Sequence, residues 1–260
     1  MSAAQDTGPL EARARGFLAE LRLAASFLTV FPFVSIRPLD DESVAASLGW
    51  FPLVGFAIAI ALSLEDLILA RFFDLTLRSI LIVLSLTIVT GALHLDGLAD
   101  TADALGAGRD RARALGILRD SRIGSFGAAA IFFSLALKVV TLATLYGARR
   151  YTAIFAAVGL ARWAMVAVAE RIPYLRAQGA GSAILATESA PRNLTIASLT
   201  VVAAMLPLMS WTVLDAIVTA IVITLAMRAF YNRWLGGVTG DLIGACGEIV
   251  EIAVLIVFAR

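Results

Sequence analysis

Seven apolar segments, each near the ~20 residues that cross a bilayer as a helix, restrict what this chain can fold into. They run roughly over residues 44–63, 79–95, 125–146, 151–169, 194–211, 213–230 and 242–259. Of the 260 residues 60% are hydrophobic and only 16% charged, against roughly a quarter charged in soluble proteins. The expected fold is therefore all-α: a polytopic integral membrane helical bundle of about seven transmembrane helices plus interfacial helices, in one domain over 1–260. Two segments read as interfacial. Arg15 to Phe33 sets Glu20 and Arg22 against a Phe/Leu face, and Asp110 to Arg119 is short, basic and amphipathic. Residues 1–15 are expected to be flexible, and Met1 to Gly16 lacks the apolar core of a cleaved signal peptide.

Arginine placement predicts the orientation. Arg13, Arg15, Arg22 and Arg37 precede the first segment, and Arg109, Arg111, Arg113, Arg119 and Arg122 follow the second. Arg171, Arg176 and Arg192 follow the fourth, and Arg228 and Arg233 lie near the end of the sixth. A cytoplasmic N-terminus puts all four regions inside, while Arg71, Arg78, Arg149, Arg150 and Arg260 fall on the other side. A net charge of +1 gives no sign of nucleic-acid binding, and the single Cys246 excludes a disulfide within the chain.

Chemistry concentrates where the second apolar segment ends, in His94-Leu95-Asp96-Gly97-Leu98-Ala99-Asp100-Thr101-Ala102-Asp103. Asp96, Asp100 and Asp103 stand at i, i+4 and i+7, so a helix carries all three on one face. Like charges at this spacing repel unless a cation sits between them. A hard divalent ion such as Mg²⁺, which takes one or two carboxylates plus phosphate oxygens, answers that need. Further on, Arg119-Asp120-Ser121-Arg122 adds a fourth carboxylate and two arginines, the mixture that phosphoryl transfer uses. Asp110, Arg111 and Arg113 read more simply as a solvated loop. His94, the only histidine, falls on the opposite side of an unbroken helix from the acids unless Gly97 breaks it.

Two more groups call for explanation. Arg162-Trp163 lies within the fourth segment, where an arginine needs a phosphate or a carboxylate such as Glu248 for company. Pro173-Tyr174-Leu175-Arg176 follows it. Gly236-Gly237-Val238-Thr239-Gly240-Asp241 opens the last segment, whose Asp241, Gly244, Glu248 and Glu251 share one helix face. Lys138, the only lysine, either snorkels or points into the bundle.

The Asp run followed by Arg119-Asp120-Ser121-Arg122-Ile123-Gly124-Ser125-Phe126-Gly127 closely resembles the cobalamin synthase family, also called adenosylcobinamide-GDP ribazoletransferase. Phe51-Pro52-Leu53-Val54-Gly55 is similar to that family's early motif, and Gly237 to Ala245 to its late one. The resemblance covers about residues 20 to 258, with one departure at Ala104 to Gly108, where the family is richer in glycine. It implies a Mg²⁺-dependent enzyme of the bacterial inner membrane with a cytoplasmic active site. Such an enzyme joins adenosylcobinamide-GDP to α-ribazole or its 5′-phosphate, giving adenosylcobalamin or its 5′-phosphate and releasing GMP. The expected metal ligands are Asp96, Asp100 and Asp120, with Asp103 a ligand or the general base and His94 a catalytic candidate. Arg122 clamps a phosphate, and Ser121, Arg119, Arg162, Asp241 and Glu248 complete the expected substrate contacts. Expected partners are the two substrates, the lipid bilayer, and a second copy or other corrinoid enzymes.

Two readings compete. A CDP-alcohol phosphotransferase also begins its acidic helix Asp-Gly, but Asp100 stands where that family places arginine after alanine. A secondary transporter would use Asp96, Arg162 and Glu248 as an ion path, against which the acids cluster at one surface and no inverted repeat is visible.

Overall fold

The computed structural model describes residues 9–33, 45–108, 110–120, 122–175 and 190–260. These residues form α1 (Pro9–Leu28), α2 (Phe51–Leu69), α3 (Leu75–Val89), α4 (Leu93–Leu105) and α5 (Arg111–Ile117). They continue as α6 (Ser125–Ala143), α7 (Gly147–Ala169), α8 (Ala190–Met205), α9 (Trp211–Leu235) and α10 (Gly240–Ala259). Six helices are long and apolar enough to cross a membrane, and a bent pair, α3 with α4, makes up to seven. The chain is a multi-pass membrane protein. Helix α1 opens at Pro9, inside the tail expected to be flexible.

Short polar residues set where the helices start. Asp74 accepts hydrogen bonds from the Thr76 and Leu77 N–H groups to cap α3, and Ser210 and Thr239 cap α9 and α10. Each satisfies a donor that the first helical turn cannot. Helix α9 ends at Leu235, five residues beyond the expected 230, and is capped by Gly236 at a φ of +71° that suits glycine.

The stretch expected as one segment over 79–95 is two helices. Gly91 and Ala92 both take positive φ, and α4 leaves α3 at 88°. Hydropathy is blind to this break, because Ala92 is apolar and its left-handed backbone has no signature in composition. The turn is held from outside: the Val30 N–H donates to the Val89 carbonyl at 2.8 Å. Consequently the Asp run begins a helix of its own rather than extending a straight membrane span.

Helices α2, α7 and α10 are buried for most of their length, whereas α6, α8 and α9 bury less than a third of theirs. Small residues let the central helices touch. A Cβ on Gly55 of α2 would lie 2.9 Å from the Val158 carbonyl of α7, and one on Gly159 of α7 would run into the Phe56 ring. Without a hydrophobic drive between helices in lipid, such close packing is what holds them.

Two groups of buried charges add to it. At one end, Asp66 of α2 pairs with Arg78 of α3 and with Arg150 of α7, whose Nη1 also donates to the Leu142 carbonyl at 2.6 Å. Deeper in the bundle, Lys138 of α6 meets Glu248 and Glu251 of α10, each at 2.6 Å, and Arg162 of α7 meets Glu251 at 2.5 Å. None of these four side chains is more than 6% exposed. Lys138 therefore points into the bundle. The partner of Arg162 is Glu251 and not Glu248, because Glu248 is held by Lys138 and Ser134.

Candidate active site

Helix α4 carries the three acids of the run, and its inner face packs on α10. The contact is tightest at Gly97, where a Cβ would lie 2.7 Å from the Asp241 carbonyl. Gly97 thus does not break the helix; it lets α10 approach. One turn deeper, Gly244 gives the same clearance to the His94 backbone. His94 is buried, with no hydrogen-bond partner for Nε2 among the described residues, while Asp96 is exposed. The imidazole and the acidic edge therefore face opposite ways, as an unbroken helix requires.

The acidic edge is not uniform. Asp96 faces solvent, and its carboxylate meets no hydrogen-bonding or ionic partner among the described residues. Asp100, one turn on, is half-buried. Asp103 accepts hydrogen bonds from the backbone N–H groups of Gly124 at 2.7 Å and Gly127 at 2.9 Å, closing the first turn of α6 onto α4. Both of its oxygens are thereby engaged with N–H donors. A Cβ at Gly124 or Gly127 would collide with this carboxylate.

Asp120 lies before α6 and is held by Arg122, whose Nη2 donates to Oδ2 at 2.6 Å. Arg122 hydrogen bonds keep the Asp120 carboxyl below the usual carboxylate range and raise the guanidinium in turn. Arg119 is exposed beside them, and Ser121 lies outside the described residues. The four carboxylates named as metal ligands do not close around one point: among the described residues, no three His, Cys, Asp or Glu side chains are grouped to hold a metal ion. Asp96, exposed, and Asp100, half-buried, stand one turn apart on α4. Asp241, at the first turn of α10, accepts a hydrogen bond from the Thr239 hydroxyl at 3.1 Å.

Arg162 and Glu248, expected as substrate contacts, sit in the buried charge group well away from this edge in sequence and in solvent exposure. The basic helix α5 is anchored rather than free. Asp110 caps it, Trp234 donates to the Gly108 carbonyl at 3.0 Å, and the Arg111 guanidinium lies over Gly236 at the C-terminus of α9. A cation there meets the negative end of a helix.

A model of the cobalamin-5-phosphate synthase family matches residues 20–259, nearly the whole chain. The chain belongs to that family. An adenosylcobinamide-GDP ribazoletransferase of Syntrophobacter fumaroxidans is 40% identical over 237 residues, covering 89% of this chain and 94% of the relative. One of Azorhizobium caulinodans is 40% identical over 260 residues, covering 94% and 97%, and one of Desulforamulus reducens is 37% identical over 242 residues, covering 91% and 94%. No solved structure matches.

Within this cobalamin-5-phosphate synthase fold, one contribution escaped reading from sequence. The loop after α7 pairs with the loop before α10: the Leu175 N–H donates to the Val238 carbonyl, and the Val238 N–H to the Pro173 carbonyl, each at 2.9 Å. By sequence, Gly237 belongs to the glycine-rich turn and opens the late motif. It makes this pairing feasible, since a Cβ there would strike the Pro173 carbonyl.

Proposed function

We propose that this protein catalyses the last joining step of the cobalamin nucleotide loop at the cytoplasmic face of a bacterial inner membrane. Adenosylcobinamide-GDP and α-ribazole, or its 5′-phosphate, are the substrates, and adenosylcobalamin, or its 5′-phosphate, and GMP are the products. A ribose hydroxyl of the ribazole attacks the phosphorus attached to cobinamide, the bond to the bridging oxygen of the diphosphate breaks, and GMP leaves; the hydroxyl is not the 5′ one, because a 5′-phosphate on the substrate is kept in the product. The full-length likeness to relatives named for this activity supports the reading. The observation that carries it is the open acidic edge of α4, presented beside the start of α10 at the arginine-rich end of the bundle.

Mg²⁺ suits this edge by the chemistry of its donors. Asp96 and Asp100 are hard oxygen ligands one turn apart, and this ion completes its shell with water and phosphate oxygens rather than with a protein cage. When bound it would neutralise diphosphate oxygens. The side chains do the rest. Among the described residues nothing pairs with the Asp96 carboxylate, so it would hold the ion and accept the hydroxyl proton. Asp103 is spent on the α6 backbone and positions that helix. Arg122, 87% exposed, exchanges Asp120 for a phosphate of the incoming diphosphate, a charge-assisted contact that guanidinium geometry favours. His94, Arg162 and Glu248 act as packing and charge-balancing groups behind the site.

Purified protein is tested for GMP release from adenosylcobinamide-GDP with and without ribazole and Mg²⁺. Release that needs all three is the expected result. A phosphatidyl product from a CDP-lipid would indicate the phospholipid reaction instead, and corrinoid uptake into vesicles without GMP release would indicate transport. Transport has little structural support, since Glu248 and Glu251 are already paired with cations of the chain.

A further inference from the structure

We propose that the groove between α1 and α2 binds a phospholipid with an ethanolamine headgroup, one acyl chain lying along its floor and the ammonium meeting Glu65. The groove has a volume of about 610 Å³. Its walls are Leu21 and Ala25 of α1, Phe31 and Phe33 after that helix, and the α2 face from Leu53 to Glu65. Ala57, Ile60 and Ala61 on that face are exposed, so the groove opens outward on a helix long and apolar enough to cross the membrane. From Leu53 to Glu65 the helix rises about 18 Å, room for an extended chain.

Two observations select the occupant. The first is polarity. Among the described residues Thr29 and Glu65 are the only polar side chains on the lining, and the Thr29 hydroxyl already donates to the Ala25 carbonyl at 2.7 Å. A base or a corrinoid edge would bury ring nitrogens or amides without partners here, which is costly, whereas a hydrocarbon chain has none to satisfy. The second is Glu65. It is half-buried, four residues before the end of α2, and its Oε1 accepts from the Ser85 hydroxyl at 2.7 Å. No cation pairs with it among the described residues, while the adjacent Asp66 meets both Arg78 and Arg150. A carboxylate in a membrane span calls for such company, and a lipid ammonium at headgroup level supplies it. At its other end the groove reaches Thr29, Phe31 and Val89, which flank the Val30–Val89 hydrogen bond of the α3–α4 turn. The bound chain thus rests against the clamp that aims the acidic helix.

The test is native mass spectrometry of the full-length protein in detergent, titrated with palmitoyl-oleoyl phosphatidylethanolamine or with phosphatidylglycerol of the same chains. The wild type is expected to retain one phosphatidylethanolamine. Ala57→Phe and Ala61→Phe, which fill the groove, should bind it roughly tenfold more weakly. Val202→Phe, on an exposed face outside the groove, should bind as the wild type does. Glu65→Gln should remove a preference for phosphatidylethanolamine over phosphatidylglycerol of about fivefold. Equal binding by wild type and groove variants, none included, overturns the proposal, and so does a Glu65→Gln protein that keeps the preference. A wild-type dimer that Ala61→Phe converts to monomer would seat a second copy in the groove and overturn it. Displacement of the lipid by adenosylcobinamide-GDP or α-ribazole would make the groove a substrate site and also overturn it. If the phenylalanine variants do not accumulate in membranes, Glu65→Gln, which changes little volume, carries the test alone. GMP release plays no part in these readouts, so their failure and that of the proposed reaction are told apart.

Discussion

The Asp103 carboxylate accepts a hydrogen bond from the Gly127 backbone N–H at 2.9 Å, so an acid of the motif helix holds the start of the next helix. Asp96, two turns earlier on the same helix, is exposed. Identical side chains on one face thus have divided work: Asp96 is exposed, and Asp103 locks α4 to α6.

That division separates two variants by their readouts. Asp96→Asn is expected to abolish GMP release while leaving the thermal unfolding midpoint in detergent unchanged. Asp103→Ala is expected to lower the midpoint, by the ~1 kcal/mol that losing a helix cap costs, together with activity. Equal midpoints for the two proteins would contradict the assignment of Asp103 to the α6 backbone.

Gly97→Ala places a Cβ 2.7 Å from the Asp241 carbonyl, which only a shift of α4 away from α10 relieves. Turnover should fall sharply, because the acidic edge moves with the helix. Gly116→Ala, where a Cβ meets nothing within 4 Å, is the matched control and should keep full activity. The two are compared in one assay, and a fully active Gly97→Ala protein would show that this approach does not position the site.

Lys138→Met leaves Glu248 without its cation and Glu251 with Arg162 alone. Removing one partner of a buried pair costs about 3–5 kcal/mol, because a charge stays buried and unpaired. Adding Glu248→Gln should recover part of that loss. Unfolding of the two single variants and the double variant measures the coupling, and simple additivity would mean that the pair is not coupled.

Asp120 and Arg122 should show a pH signature. Hydrogen bonds from Arg122 lower the folded-state pKa of Asp120, so the pair is intact above the ordinary carboxylate range and is lost as pH falls through the lowered value. Both groups are exposed, so the effect is local and leaves global stability untouched. Carbon-13 NMR of labelled aspartate should find the Asp120 titration moving up to the ordinary range in Arg122→Gln. A titration that the substitution leaves in place would contradict the pairing.

Much of the site was legible because it rests on spacing. The intervals among Asp96, Asp100 and Asp103 put them on one helix face, and the same rule turned His94 to the other side, where burial now finds it. Glu248 and Glu251 likewise read as inward-facing from their place in an apolar span. The pairing of Arg162 was not legible. Glu248 and Glu251 are equally apt partners by charge, and Lys138, on a third helix, meets both at 2.6 Å, so only the placement of the helices gives Arg162 to Glu251.

By itself the sequence determined the helical, membrane-spanning class and the acidic face, since each follows from local composition and helical period. Only the tertiary structure decided how those pieces meet: the 88° turn at Gly91 and Ala92, the approach of α10 at Gly97, and the capture of Asp103 by α6. The reason is that these depend on backbone groups of distant segments. Every residue has a peptide carbonyl and every residue but proline an N–H, so their choice of partner is made by folding and leaves no mark in the order of side chains.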